Sequence, residues 1–226
     1  MRSFFTRPIM RQNAANLARK VAMQLIGMLD SPYVRRVAIS MKLMGIAFEH
    51  QPVSVFRHFD RFREINPVVK APTLVCDDGV VLMDSTLILD YLEGLVPPAR
   101  RLMPLAGDER REALRLTGLA LAACDKCVSL VYEREQRPPE RRHEPWYERV
   151  LGQALAAFTV LEDAAGGARP WLQGAGPNAA DVATAVAWRF GQHYHAELVP
   201  AWKFPSLAKY STQAEALPAF ESTPLD

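Results

Sequence analysis

Cysteine is scarce. The three in 226 residues, Cys76, Cys124 and Cys127, are too few and too odd in number for a disulfide framework. That usage suits a reducing compartment, and a cytoplasmic location is expected. No apolar run approaches the roughly 20 residues that span a bilayer, so no membrane partner is expected. Neither sign of charge dominates: 27 Lys and Arg face 25 Asp and Glu, a net +2, which argues against a dedicated nucleic-acid binder. Metal-ligand spacing is absent as well. Cys124-Asp125-Lys126-Cys127 is a CxxC, but no second pair of ligands stands nearby. It lies inside LTGLALAACDKCVSLVYERE, which reads as one long helix, so small packing residues are favoured over redox or metal chemistry and no metal is expected.

What is present is the composition of a folded chain, 49% hydrophobic and 23% charged, long enough for one large or two small domains. Residues 1–22 differ from the rest. They carry Arg2, Arg7, Arg11, Arg19 and Lys20 and no acid, and without them the net charge would be negative. They lack the long apolar centre of a secretory signal and share the basic, acid-poor character of a transit peptide. The plainer expectation is a flexible basic extension, with Met23 as an alternative start.

From Met23 to about Glu93, strands and helices alternate. The pattern predicts strands over Gln24–Met28 and Phe48–Val53 with a helix over Pro32–Met44 between them, then an irregular or helical connection over 54–66. Two short strands, Thr73–Cys76 and Val80–Met83, flank Asp77-Asp78-Gly79, a strong hairpin signal. Ser85 is expected to cap the helix TLILDYLEGL. The prolines of VPPARR then read as a linker. Beyond it no strand is predicted: helices are expected over Asp108–Glu135, Glu144–Ala164 and Asn178–Gln192, with a last one after Pro205. Asn178 and Asp181 stand at capping-box spacing and read as folding support.

The stretch DSPYVRR stands where the first strand hands over to the first helix. Ser31-Pro32 there is a good cap and first turn. The same helix end also offers free N–H groups and partial positive charge to an anion. Ala71-Pro72, before the third strand, and Asp84-Ser85, at the entry to the third helix, occupy comparable junctions. Element ends of this kind in one small sheet are where ligands bind.

Together, MQLIGMLDSPYVRRVAISMKLMGIAFEHQPV and INPVVKAPTLVCDDGVVLMDSTLILDYLE resemble the thioredoxin-like domain of the cytosolic glutathione transferase family. WLQGAGPNAADVATAVAW resembles its helix-capping segment and FPSLAKYSTQAEALPAF its last helix, so the likeness runs from about 23 to 222. It is to bacterial serine-type members. The resemblance implies an α/β thioredoxin-like domain over 23–96, a linker over 97–107 and an all-helical domain over 108–226, in a homodimer. It implies glutathione as co-substrate, a small electrophile as second substrate and a detoxifying transferase reaction. Ser31 matches the position that hydrogen-bonds the glutathione sulfur. Ala71, before a proline that is cis in the family, pairs its backbone with the cysteinyl part. Lys70 matches a position that reaches the glycyl carboxylate, against the bland alternative of a solvated lysine. Ser85 would hold the γ-glutamyl α-carboxylate, and Asp84 would meet the α-ammonium. Val69 departs from the pattern, since many members have glycine there.

The energetics of such a site are sufficient. A thiol with a pKa of ~8.5 is only about 3% thiolate at pH 7, and lowering the pKa by two units takes about 2.7 kcal/mol. A hydrogen bond to a charged group supplies roughly 1.5–3 kcal/mol, and a helix N-terminus adds about 0.3–1. Ser31 is therefore read as a donor. A nucleophilic serine needs a base and an oxyanion site, DSPYV lacks the GxSxG elbow, and none of the five histidines stands out as its partner; His193 and His195 are expected at the surface or partly packed. SPYV also has no cysteine where redox relatives carry one. The basic, aromatic FRHFDRFRE could concentrate an anion, but reads better as a solvated face. Two other functions stay open. One is a non-catalytic binding or interaction protein of this fold. The other is a glutathione-dependent isomerase or dehalogenase. The second substrate's pocket is expected between the domains, lined in part by the helix around Leu121–Glu135; Tyr132 is a candidate there, and core packing explains it equally well.

Overall fold

The computed structural model describes residues 23–225. The basic extension proposed for 1–22 lies outside them. The elements run β1 (Gln24–Ile26), α1 (Pro32–Met44), β2 (Glu49–Gln51), α2 (Phe59–Ile65), β3 (Thr73–Val75), β4 (Val81–Met83) and α3 (Ser85–Gly94). The helices α4 (Gly107–Glu135), α5 (Glu144–Gly167), α6 (Ala179–His195), α7 (Pro205–Glu215) and α8 (Pro218–Glu221) follow. Strands order as β2-β1-β3-β4. The β1–β2 pair is parallel, as the crossover through α1 requires, and β1–β3 and β3–β4 are antiparallel. This is a thioredoxin-like sheet domain followed by a helical region.

β1 stops two residues earlier than predicted. Gly27, at φ 139°, turns the chain out of the sheet. A Cβ there would come within 2.6 Å of Val34 Cγ2 and 3.1 Å of the Ala71 Cβ, so only glycine lets β1, α1 and Ala71 meet. β2 is likewise shorter than expected, three residues. The hairpin forms as predicted, with Gly79 N–H on Cys76 O at 2.9 Å and Gly79 at φ 85°. The cap of α3 is Asp84 rather than Ser85: Asp84 Oδ1 accepts from Thr86 N–H at 2.9 Å, and Ser85 is the first helical residue. An aspartate one position earlier reaches the same orphan N–H that a serine cap would.

One apolar cluster joins β1, α1, β3 and α3, with Leu25, Val37, Leu74 and Ile88 fully buried. A larger one fills the helical region, with Ala120, Phe158, Leu161 and Trp188 among its members, and Ile39 of α1 belongs to it. Helix α1 therefore lies in both. Cys124 and Cys127 are buried on the inward face of α4, and both thiols are free. Burial pushes both up, that of Cys127 to about 12, so they are held protonated as packing residues. The capping box at the start of α6 forms: Asn178 Oδ1 accepts from Ala180 N–H at 2.8 Å, and Asp181 Oδ2 accepts from Asn178 N–H at 2.8 Å.

Candidate functional site

Ser31 caps α1. Its backbone is extended, at φ −70° and ψ 122°, and Oγ accepts from Val34 N–H at 3.4 Å. An oxygen that accepts from the helix keeps its own proton to donate outward. Pro32 fits the first turn because no N–H is needed there. Among the described residues no base is bonded to Ser31, which fits a donor better than a nucleophile.

The second part is the turn before β3. Asn66 is buried; it donates to Thr73 Oγ1 at 2.8 Å and accepts from Val68 N–H at 3.0 Å, while its carbonyl takes Val69 N–H at 2.9 Å. This pins Val69-Lys70-Ala71 across the mouth of the first junction. Val69 sits at φ 52°, in the left-handed region that a β-branched side chain resists. The Ala71–Pro72 peptide is cis. Lys70 is exposed at the rim, and its carbonyl accepts from Thr73 Oγ1 at 2.8 Å.

A cleft of about 270 Å³ opens between the sheet domain and the helices. Ser31, Lys70 and Ala71 line one side, and Tyr132 of α4 and Tyr194 of α6 line the other. Tyr33 borders it from α1, and burial pushes its phenol well above the ordinary value. The Tyr194 phenol donates to Asp30, the residue before Ser31, which ties the first junction to the helical half. Phe56 and Tyr132 close the rim edge to face, their ring centroids 5.6 Å apart.

Asp84 and Ser85 do not line this cleft. They follow β4, and the register Thr73↔Met83 keeps them at the same end of the sheet as Pro72. Asp84 holds φ 69°. Ser85 is buried, and its Oγ accepts from Arg36 Nη1 at 3.1 Å. So Ser31, Lys70 and Ala71 are brought together, with Asp84 and Ser85 one strand end away.

His195 is buried rather than superficial: its Nε2 meets Cys127 O at 2.9 Å, and burial lowers its pKa. His193 is exposed. In FRHFDRFRE only Phe62 is buried, and Arg63 pairs with Asp60 at 3.0 Å on the surface. Among the described residues no cluster of His, Cys, Asp and Glu could hold a metal ion, and no helix is long and apolar enough to cross a membrane. Sequence reasoning missed Tyr33, Asn66, Arg36 and Tyr194. Asn66 alone carried a signal, as a turn-type residue before proline in INPVVKAP.

The family model described as glutathione S-transferase, N-terminal domain, matches residues 25–100. A maleylacetoacetate isomerase of Pseudomonas aeruginosa is 30% identical over 200 residues, spanning 82% of this chain and 87% of that protein. The chain belongs to the glutathione S-transferase family.

Solved glutathione S-transferases agree. One from Methylobacterium radiotolerans, in complex with glutathione sulfonate, has a TM-score of 0.82 and 28% identity, over 89% of this chain and 94% of that one. A family member from Pseudomonas fluorescens, with bound glutathione, has a TM-score of 0.78 and 27% identity, over 91% of this chain and 100% of that one.

Proposed function

We propose that this glutathione S-transferase-family chain is a serine-type member that binds glutathione in the cleft and promotes attack of its thiolate on a small electrophile. The observation that carries the reading is Ser31 Oγ, which accepts from Val34 N–H at a helix N-terminus and borders a cavity shared with Lys70 and Ala71. Its free proton and the helix end both favour the thiolate. Ala71 offers its backbone to the cysteinyl part, and Lys70 reaches the glycyl carboxylate. Ser85 and the start of α3 take the γ-glutamyl α-carboxylate, and Asp84 takes the α-ammonium. No metal enters. In conjugation the sulfur–carbon bond forms as the electrophile's leaving group departs, or as its conjugated bond takes up a proton.

A second reading has its own support, since the Pseudomonas aeruginosa relative is named an isomerase. In that case the thiolate adds to a conjugated bond, the bond rotates, and the thiolate is expelled, so glutathione emerges unchanged. A dehalogenase stands in the same class. Isothermal titration with glutathione tests binding, and product analysis with a haloarene and with a cis-enone separates the readings. A stable thioether supports conjugation, and a trans-enone with undiminished glutathione supports isomerisation. Absence of glutathione binding would overturn both and leave a non-catalytic binding protein.

The proposed assembly is a homodimer, and the proposed location cytoplasmic. Leu87, Tyr91 and Leu95 form an exposed stripe at i, i+4 and i+8 along α3, beside exposed Val81 and Met83 of β4. The proposed divisions are a glutathione-binding domain over 23–96, a linker over 97–107 and a helical domain over 108–226.

A further inference from the structure

Two adjacent arginines of α1 are both buried, and among the described residues only one has an ionic partner. Arg35, 1% exposed, meets Glu215 through both Nη atoms, at 2.8 and 2.6 Å. Arg36, 4% exposed, forms no ion pair among the described residues. Its Nη1 donates instead to two neutral hydroxyls, Ser85 Oγ at 3.1 Å and Thr86 Oγ1 at 3.3 Å. A buried guanidinium without a counter-charge is costly, so compensation must come from nearby. Three groups reach it through their fields: Cys124, Asp84 and Tyr33. Burial keeps the Cys124 thiol and the Tyr33 phenol protonated. That leaves Asp84, whose Oδ1 is turned to the Thr86 N–H. A cation thus stands directly behind the N-terminus of a ten-residue helix, where positive polarity already accumulates.

We infer that Arg36 is the positioning cation for the γ-glutamyl α-carboxylate of glutathione, acting through Ser85. This rests on the reading that the γ-glutamyl end lies at the start of α3. Because Ser85 Oγ accepts from Arg36, the serine's own proton is left to donate to the carboxylate. The ligand carboxylate also arrives beside that of Asp84, and the Arg36 charge offsets the repulsion between them. Arg36 further borders a groove of about 540 Å³ between α1, α3 and α4. A charge serving that groove instead would leave recognition of the α-carboxylate unchanged when removed.

The test is calorimetric titration of wild type, Arg36→Met, Arg36→Gln and Arg36→Lys with two ligands. One is glutathione, and the other is the analogue with hydrogen in place of the γ-glutamyl α-carboxylate. Wild type should prefer glutathione by at least about tenfold. Arg36→Met should lose most of that preference through weaker glutathione binding, with the analogue bound as before. Arg36→Lys should restore much of it. If Arg36→Met does not fold, Arg36→Gln, which keeps donors and loses the charge, should show the same loss. A charge-neutral variant that keeps the wild-type preference overturns the role of Arg36. Wild type binding both ligands equally overturns the γ-glutamyl placement itself, and this is visible before any substitution.

Discussion

Val69 holds φ 52° with a β-branched side chain, a conformation that costs an L-residue roughly 1–2 kcal/mol. Glycine removes that cost but adds about 0.4–1 kcal/mol of unfolded-chain entropy. Val69→Gly is therefore expected to be neutral or to stabilise by up to about 1 kcal/mol, read as the urea midpoint. The resemblance already marked this position as a departure from an expected glycine; what it did not show is that Val69 takes up the left-handed backbone. His195 was the opposite case. A histidine near a predicted helix end reads as surface or partly packed, yet α6 runs three residues further and carries the ring fully into the core against Cys127. Burial lowers its folded pKa, so the unfolded chain takes up the proton first. The stability it contributes is full above about pH 6.5 and is lost as pH falls through the lower folded value. Urea midpoints between pH 5 and 8 should fall toward acid in wild type, and less steeply in His195→Gln. Ser31 and Ala71 were legible because a cap and an X-Pro step have local signatures. The capture of Ser85 by Arg36 was not, since it joins residues 49 apart in sequence.

Among the elements, α1 joins the two parts of the chain. Its start holds Ser31, its inner face enters both apolar clusters, and Arg35 fastens it to the C-terminal helices. The Arg35 fork grips Glu215 of α7, its Nε donates to Thr223 O at 2.8 Å, and its guanidinium lies 5.8 Å from the Phe220 ring centroid in α8. Removing one partner of such a pair leaves a buried charge unpaired and costs about 3–5 kcal/mol. Glu215→Ala, which strands the buried Arg35 charge, should lose stability on that scale in urea, whereas Arg35→Ala strands only a partly exposed carboxylate and loses the packing of its own side chain. The helices were legible from their apolar periodicity. The strands were read too long, because a glycine turn and edge pairing, which depend on the tertiary neighbours of Gly27, end them early. A single last helix was expected after Pro205. The second proline, Pro218, starts a separate short helix instead.

At the scale of the whole molecule, the order of a small sheet domain and a helical region was readable, since periodicity changes after the proline-rich linker. A pocket between them, with the helix that carries Tyr132 on one wall, was expected too; the part played by Tyr194 of α6 was not legible, because it meets Ser31 and Tyr132 only once the two parts pack. The proposed dimer makes a prediction here. Light scattering should give twice the chain mass, and Leu87→Asp with Tyr91→Asp should shift it toward the monomer with the fold intact by circular dichroism. A monomer in wild type would overturn the proposed dimer.

Everything proposed for the cleft turns on whether Ser31 donates to the glutathione sulfur. The direct measurement is the ultraviolet thiolate absorbance of bound glutathione against pH, in wild type and in Ser31→Ala. A donating Ser31 gives a thiol pKa well below ~8.5 in wild type and about 1–2 units higher in the variant. The same pKa in both proteins would contradict it, reducing Ser31 to a helix cap.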